Sequence, residues 1–112
     1  MVSENSGSGM HAAASSMLDS ILMMVEAMVD SAGAAVCCDS DGSIVEISGC
    51  GVVYLVSWHA PSAQIWVASP CSGSVRFSYD PDKDLWWDCR DKRELADFVR
   101  QEVIAIFGLA EE

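Results

Sequence analysis

What most limits how this chain can fold is a change of hydrophobic period, made twice. From about residue 11 to residue 32 the apolar side chains Leu18, Ile21, Leu22, Val25, Met28, Val29 and Ala32 fall on one helical stripe, and Gly33 stands where that stripe ends. The period then drops to two through short runs at 34–38, 43–47, 52–58, 63–69, 75–79 and 85–88, separated by turn formers such as Asp41-Gly42, Ala60-Pro61-Ser62 and Asp80-Pro81-Asp82. It returns to helical spacing at Leu95, Phe98, Val99, Val103 and Ile106. Asp91 and Glu94 in front of that run have the spacing of a capping box, and Gly108 closes it. Connections this short demand antiparallel hairpins, since a parallel crossover needs a dozen residues or more. The expectation is an α+β, two-layer α/β sandwich: two terminal helices on one face of an antiparallel sheet of about six strands, with the other face open to solvent. The 112 residues suffice for one domain, assigned to 11–108, after a polar Gly/Ser-rich flexible lead-in at 1–10 and before a short tail at 109–112.

Charge narrows the partners. Residues 1–75 hold seven carboxylates and no Lys or Arg, while from Arg76 to the end six basic side chains meet ten acids, for a net charge of −11. Such a chain repels nucleic-acid phosphates and anionic lipid and attracts cations or basic protein surfaces, so nucleic acid and membrane are set aside as partners. The apolar run at 21–29 is broken by Glu26, well short of the ~20 residues of a membrane span. The five cysteines are odd in number and none are spaced Cys-x-x-Cys. They read as reduced thiols in a reducing compartment rather than as a disulfide framework or zinc site. Cys71 has no base near it in sequence and stands in an acidic chain, which disfavours a thiolate nucleophile. Asp39-Ser40-Asp41-Gly42 opens like a calcium loop but lacks the closing Glu, and is better read as a hairpin turn.

Two patterns carry possible chemistry. At 100° per residue Asp19, Glu26 and Asp30 cluster within a narrow arc at the edge of the first helix's packed stripe. Carboxylates there suit hard cations but select poorly among them, and a solvated acidic face that keeps the protein soluble explains them equally well. His11 is a further nitrogen near that helix, more simply solvated. The second pattern lies in the run QIWVASPCSGSVRF, residues 64–77. If Ile65 and Val67 face the core, alternation turns Gln64, Trp66 and Ala68 onto the uncovered side of the sheet. An outward indole is either a scattered apolar residue or an interface anchor; Gln64 and Arg76 beside it favour the anchor. Ser57 and His59 alternate outward on the preceding strand. Glu102, close to the middle of the second helix's apolar stripe, is expected to snorkel or to pair with a basic neighbour.

These residues resemble the frataxin family. The likeness runs from MLDSI in the first helix through GVVYLVSWHAPSAQIW to WWDCRDKRELADFV, and its most specific element is QIWxxSPxSG followed by Arg76-Phe77, which is closer to the mitochondrial branch than to the bacterial one. The resemblance implies weak iron binding by an acidic ridge, here Asp19, Glu26 and Asp30 with Asp39 and Asp41 at the first strand, and no organic cofactor. It also implies docking of the open face, through Ser57, His59, Gln64, Trp66 and Arg76, on the cysteine desulfurase and iron–sulfur scaffold complex, by a monomer that modulates cluster assembly. Many family members read YVINKQ where this chain has Tyr54-Leu-Val-Ser57-Trp-His59, and PNKQIW where it has Pro61-Ser-Ala-Gln-Ile-Trp66, so an amide and a basic charge are replaced. The implied location is the mitochondrial matrix, for a processed form without transit peptide, or the cytoplasm if the chain is bacterial. A ferroxidase acting at the same carboxylates, and a metal-free acidic interaction domain, are the alternatives.

Overall fold

Stripe and sheet meet as the double change of period requires. The computed structural model describes residues 2–109, with side chains from Met10 onward. Helix α1 (Val2–Ala32) is followed by strands β1 (Cys37–Ser40), β2 (Ile44–Gly49), β3 (Val52–His59), β4 (Gln64–Ser69), β5 (Gly73–Asp80) and β6 (Leu85–Asp88), then helix α2 (Leu95–Phe107). The six strands form one sheet in sequence order, every neighbouring pair antiparallel. From α1 the core receives Ala14, Leu18, Ile21, Val25 and Met28, and from α2 Leu95, Phe98, Val99, Val103 and Phe107. These pack on the strand residues of one parity: Val45, Ile47, Tyr54, Val56, Ile65, Val67, Phe77 and Trp86. Both helices therefore lie on one face and the other stays open, as expected.

Several boundaries differ from the sequence reading. The first helix begins at Val2, so residues 2–10, expected as a flexible lead-in, have helical backbone. Extending a helix already nucleated downstream costs little, and it needs no apolar stripe to mark it. By length and composition the Met10–Ala32 stretch of α1 would suffice to cross a membrane, so Glu26 does not interrupt it as the sequence reading held; its stripe is instead packed on the sheet. β1 starts at Cys37, later than the apolar run at 34–38 suggested. Its register is set by the turn: Asp41 Oδ1 accepts the amides of Ser43 (3.1 Å) and Ile44 (3.0 Å), which places Ser40 opposite Val45.

The capping box was also misassigned. Glu94 is itself the N-cap of α2, its carboxylate accepting the amides of Ala96 (3.0 Å) and Asp97 (3.1 Å), while Asp91 pairs with Arg93 at 3.3 Å. Leu109, assigned to the tail, is buried in the core just past the left-handed Gly108; residues 110–112 lie outside the described part. Gly33 at φ 63° ends α1 as predicted. Cys50 and Gly51, at φ 54° and 76°, make the tight β2–β3 turn, in which both central residues need positive φ.

Candidate docking face and acidic edge

The open face is built by cross-strand register. Trp66 lies opposite Ser57 on one side and Arg76 on the other, and Gln64 lies opposite His59 and Ser78. All five predicted contact residues, Ser57, His59, Gln64, Trp66 and Arg76, thus share one surface in two adjacent cross-strand rows. The indole does not project freely. The His59 ring stacks on it at 3.8 Å with a 16° interplanar angle, the Arg76 guanidinium lies 4.7 Å from its centroid, and its Nε1–H donates to Gln64 Oε1 at 3.2 Å. His59 is held in turn by Ser62 Oγ, 2.7 Å from Nδ1. Trp66 is therefore half-buried and held in place by its neighbours. Exposed Ile44 and Val53 lie on the same surface, together with half-buried Leu55 and Trp87. Alternation from Trp66 would have found them, but single apolar residues on strands give no signal of their own.

The carboxylates fall into two groups. Asp19, Glu26 and Asp30 are all exposed on one flank of α1. Seven and four residues of helix set them about 10 Å and 6 Å apart along the axis. Glu26 and Asp30 stand near β1: the Cys38 thiol is pushed up first by burial, then by the charges of Glu26, Cys37 and Asp30. Cys38 faces the helices opposite Ile47, whereas Asp39 alternates to the open side, directly opposite Glu46. The edge strand therefore divides the acids, helix group on one side and strand group on the other. Asp39, Asp41 and Glu46 border a shallow depression of about 210 Å³. Glu46 was missed from sequence, because its pairing with Asp39 depends on the hairpin register. Asp41 already uses one oxygen to cap its turn, and the amides of Ser43 and Ile44 hold its carboxyl below the usual range. Among the described residues no three His, Cys, Asp or Glu side chains converge closely enough to hold an ion. These acids offer hard oxygen ligands one or two at a time, the remaining positions falling to water.

A family description of the frataxin-like domain matches residues 4–109. The chain belongs to that family. It is 36% identical over 64 residues to the mitochondrial frataxin of Dictyostelium discoideum, covering 57% of this chain and 33% of that protein. It is 33% identical over 55 residues to the mitochondrial frataxin of Arabidopsis thaliana, covering 49% and 29%. The matched segments thus span about a third of these curated relatives. A frataxin from Psychromonas ingrahamii, of the CyaY family, superposes with a TM-score of 0.73 over 95% of both chains at 19% identity, which shows the shared fold.

Within this frataxin-like domain one residue behaves differently from its sequence reading. Glu102 finds hydroxyls rather than a cation: the buried Tyr54 phenol donates to its Oε1 at 2.9 Å and Ser72 Oγ donates to its Oε2. Burial, then the nearby Glu102 charge, pushes the Tyr54 phenol far above its ordinary range, so it stays a donor. This carboxylate ties α2 to β3 and to the loop after β4. In that loop Ser69 Oγ accepts the amides of Cys71 and Ser72, both at 3.0 Å. His11 is exposed, as expected of a solvated side chain, and sits edge-on to Trp58 at 6.1 Å. All five cysteines are free.

Proposed function

We propose that this chain is an accessory protein of iron–sulfur cluster assembly. It docks through Ser57, His59, Gln64, Trp66 and Arg76 on the cysteine desulfurase and scaffold complex, and carries iron as a weakly held cargo on Asp19, Glu26, Asp30, Asp39 and Asp41. The observation that carries the reading is the pre-set indole: three neighbours hold Trp66 on an uncovered sheet face. A pre-ordered anchor loses little side-chain entropy on binding, and Trp and Arg are the side chains that dominate interface energy. Weak, water-completed iron binding suits a donor or sensor, since a metal held too firmly is not passed on. The likeness to proteins named mitochondrial frataxins supports a mitochondrial matrix location, and the protein acts as a monomer.

Trp66→Ala is expected to lower affinity for the desulfurase–scaffold complex at least about 30-fold, the loss typical of a central anchor. Calorimetry reads this directly, and an unchanged Kd with a native circular dichroism spectrum refutes the docking role. Fe(II) added without oxygen should broaden amide resonances at residues 19–30 and 39–46, and an Asp19/Glu26/Asp30 triple Ala variant should lose the first set. Broadening at neither segment leaves a metal-free interaction domain, a reading favoured by the dispersal of the acids. Oxygen uptake on adding Fe(II), lost in the same variant, would instead establish the ferroxidase alternative.

A further inference from the structure

Half of the basic residues of this acidic protein are gathered where β5 loses its neighbour. β6 pairs only with residues 77–80 of β5; before them the Cys89 amide, 3.2 Å from the Arg76 carbonyl, makes the last link across that edge. The gap beyond is a depression of about 380 Å³, lined by Ser72, Ser74, Arg76, Cys89, Arg90 and Arg93 among others. Three of the chain's six basic residues therefore line one small concavity.

Two of the guanidiniums are already positioned. Arg93 is fixed by the buried Asp88 carboxylate through Nε (2.9 Å) and Nη2 (2.6 Å), with its Cζ 4.5 Å from the Phe98 ring. Arg76 is spread over Trp66. The Arg90 amide is held by Asp88 Oδ1 at 2.9 Å, while its exposed guanidinium makes no hydrogen bond or ion pair among the described residues. Asp88 is the one carboxylate in the lining and its charge is engaged by Arg93, which also lies 3.3 Å from Asp91 just outside it, so Arg90 and Arg76 carry the uncompensated positive charge. A concavity lined by three arginines, one with an uncommitted guanidinium, and by serine hydroxyls is complementary to oxyanions, which guanidinium binds in bidentate fashion.

We propose that this depression is a binding site for a small polyanion carrying two or three oxyanion groups on a short frame, a diphosphate or a di- or tricarboxylate. The depression, about 380 Å³ and lined by three arginines, exceeds what one inorganic phosphate fills. The site does not rest on the docking reading, so either proposal stands if the other fails.

The test is a titration of the ¹⁵N-labelled protein with pyrophosphate and, separately, with citrate, against sodium chloride at matched ionic strength. Saturable shifts are expected at Ser74, Arg76, Cys89 and Arg90, and the tighter of the two ligands identifies the phosphate or the carboxylate source. Arg90→Gln, at an exposed side chain, should weaken binding about tenfold, the loss of one charge-assisted hydrogen-bonding group. Lys83→Gln makes the same charge change outside the depression and should leave affinity unchanged. Equal weakening in both variants, matching shifts with chloride, or no saturation by about 10 mM of either ligand overturns the site.

Discussion

Asp88 shows how one carboxylate can organise a region of this molecule. It is 3% exposed yet charged, because it accepts the Arg90 amide and two N–H groups of Arg93, whose own side chain is 44% exposed. Burial raises its pKa, but the Arg90 amide and the Arg93 guanidinium outweigh that and hold it below the ordinary carboxylate range. A depressed native pKa contributes stability that is complete above the unfolded value, about 3.9, and is lost as pH falls through the native one. Asp88→Asn should therefore cost about 1–3 kcal/mol at pH 7. It should also flatten the decline in urea midpoint below about pH 4, relative to the parent protein. A midpoint difference that stays constant from pH 7 to pH 3 would refute the ionic role. Sequence showed an acid at this position but not its burial, because the last residue of a short strand has no fixed exposure until the chain beyond it folds back.

Helix α2 carries its start signal in Glu94, whose carboxylate takes two amides that no helical carbonyl reaches. Glu94→Ala should lower stability by about 1 kcal/mol, read from chemical denaturation, while Asp91→Ala, outside the cap, should cost less than half as much. Equal losses would restore the capping-box assignment. The spacing rule finds one of the two residues, Glu94, and the wrong helix start, because a carboxylate three residues into a box and a carboxylate at the cap look identical in sequence. Strand parity was more legible. Ile65 and Val67 facing inward is enough to turn Trp66 outward, and β3 to β5 set Ser57, His59, Gln64 and Arg76 around it through register. Only coordinates revealed that the indole lies clamped between these neighbours.

Over the whole molecule the charge is unbalanced. The acids of α1 and the first hairpin stand in a segment with no basic residue, while Arg93 pairs with Asp88 and Asp91 and Arg100 with Asp97, after residue 75. A net charge of −11 on one small domain is self-repulsive, and this repulsion is screened over about 8–10 Å at physiological salt. Raising sodium chloride from about 0.01 M to 0.15 M should raise Tm, since screening removes more repulsion than it weakens exposed pairs. A Tm that falls with salt would mean that attraction between the two charge territories dominates.

Sequence by itself determined the element order and the outward faces of Ser57, His59, Gln64 and the Trp66 indole, because these follow from local periodicity and short connections that favour a meander. The tertiary structure alone decided which acids are neighbours, where Glu102 finds its donors and how three arginines come to share one depression. Those are contacts between segments far apart in the chain, set by register and by where a strand stops, and no local pattern records them.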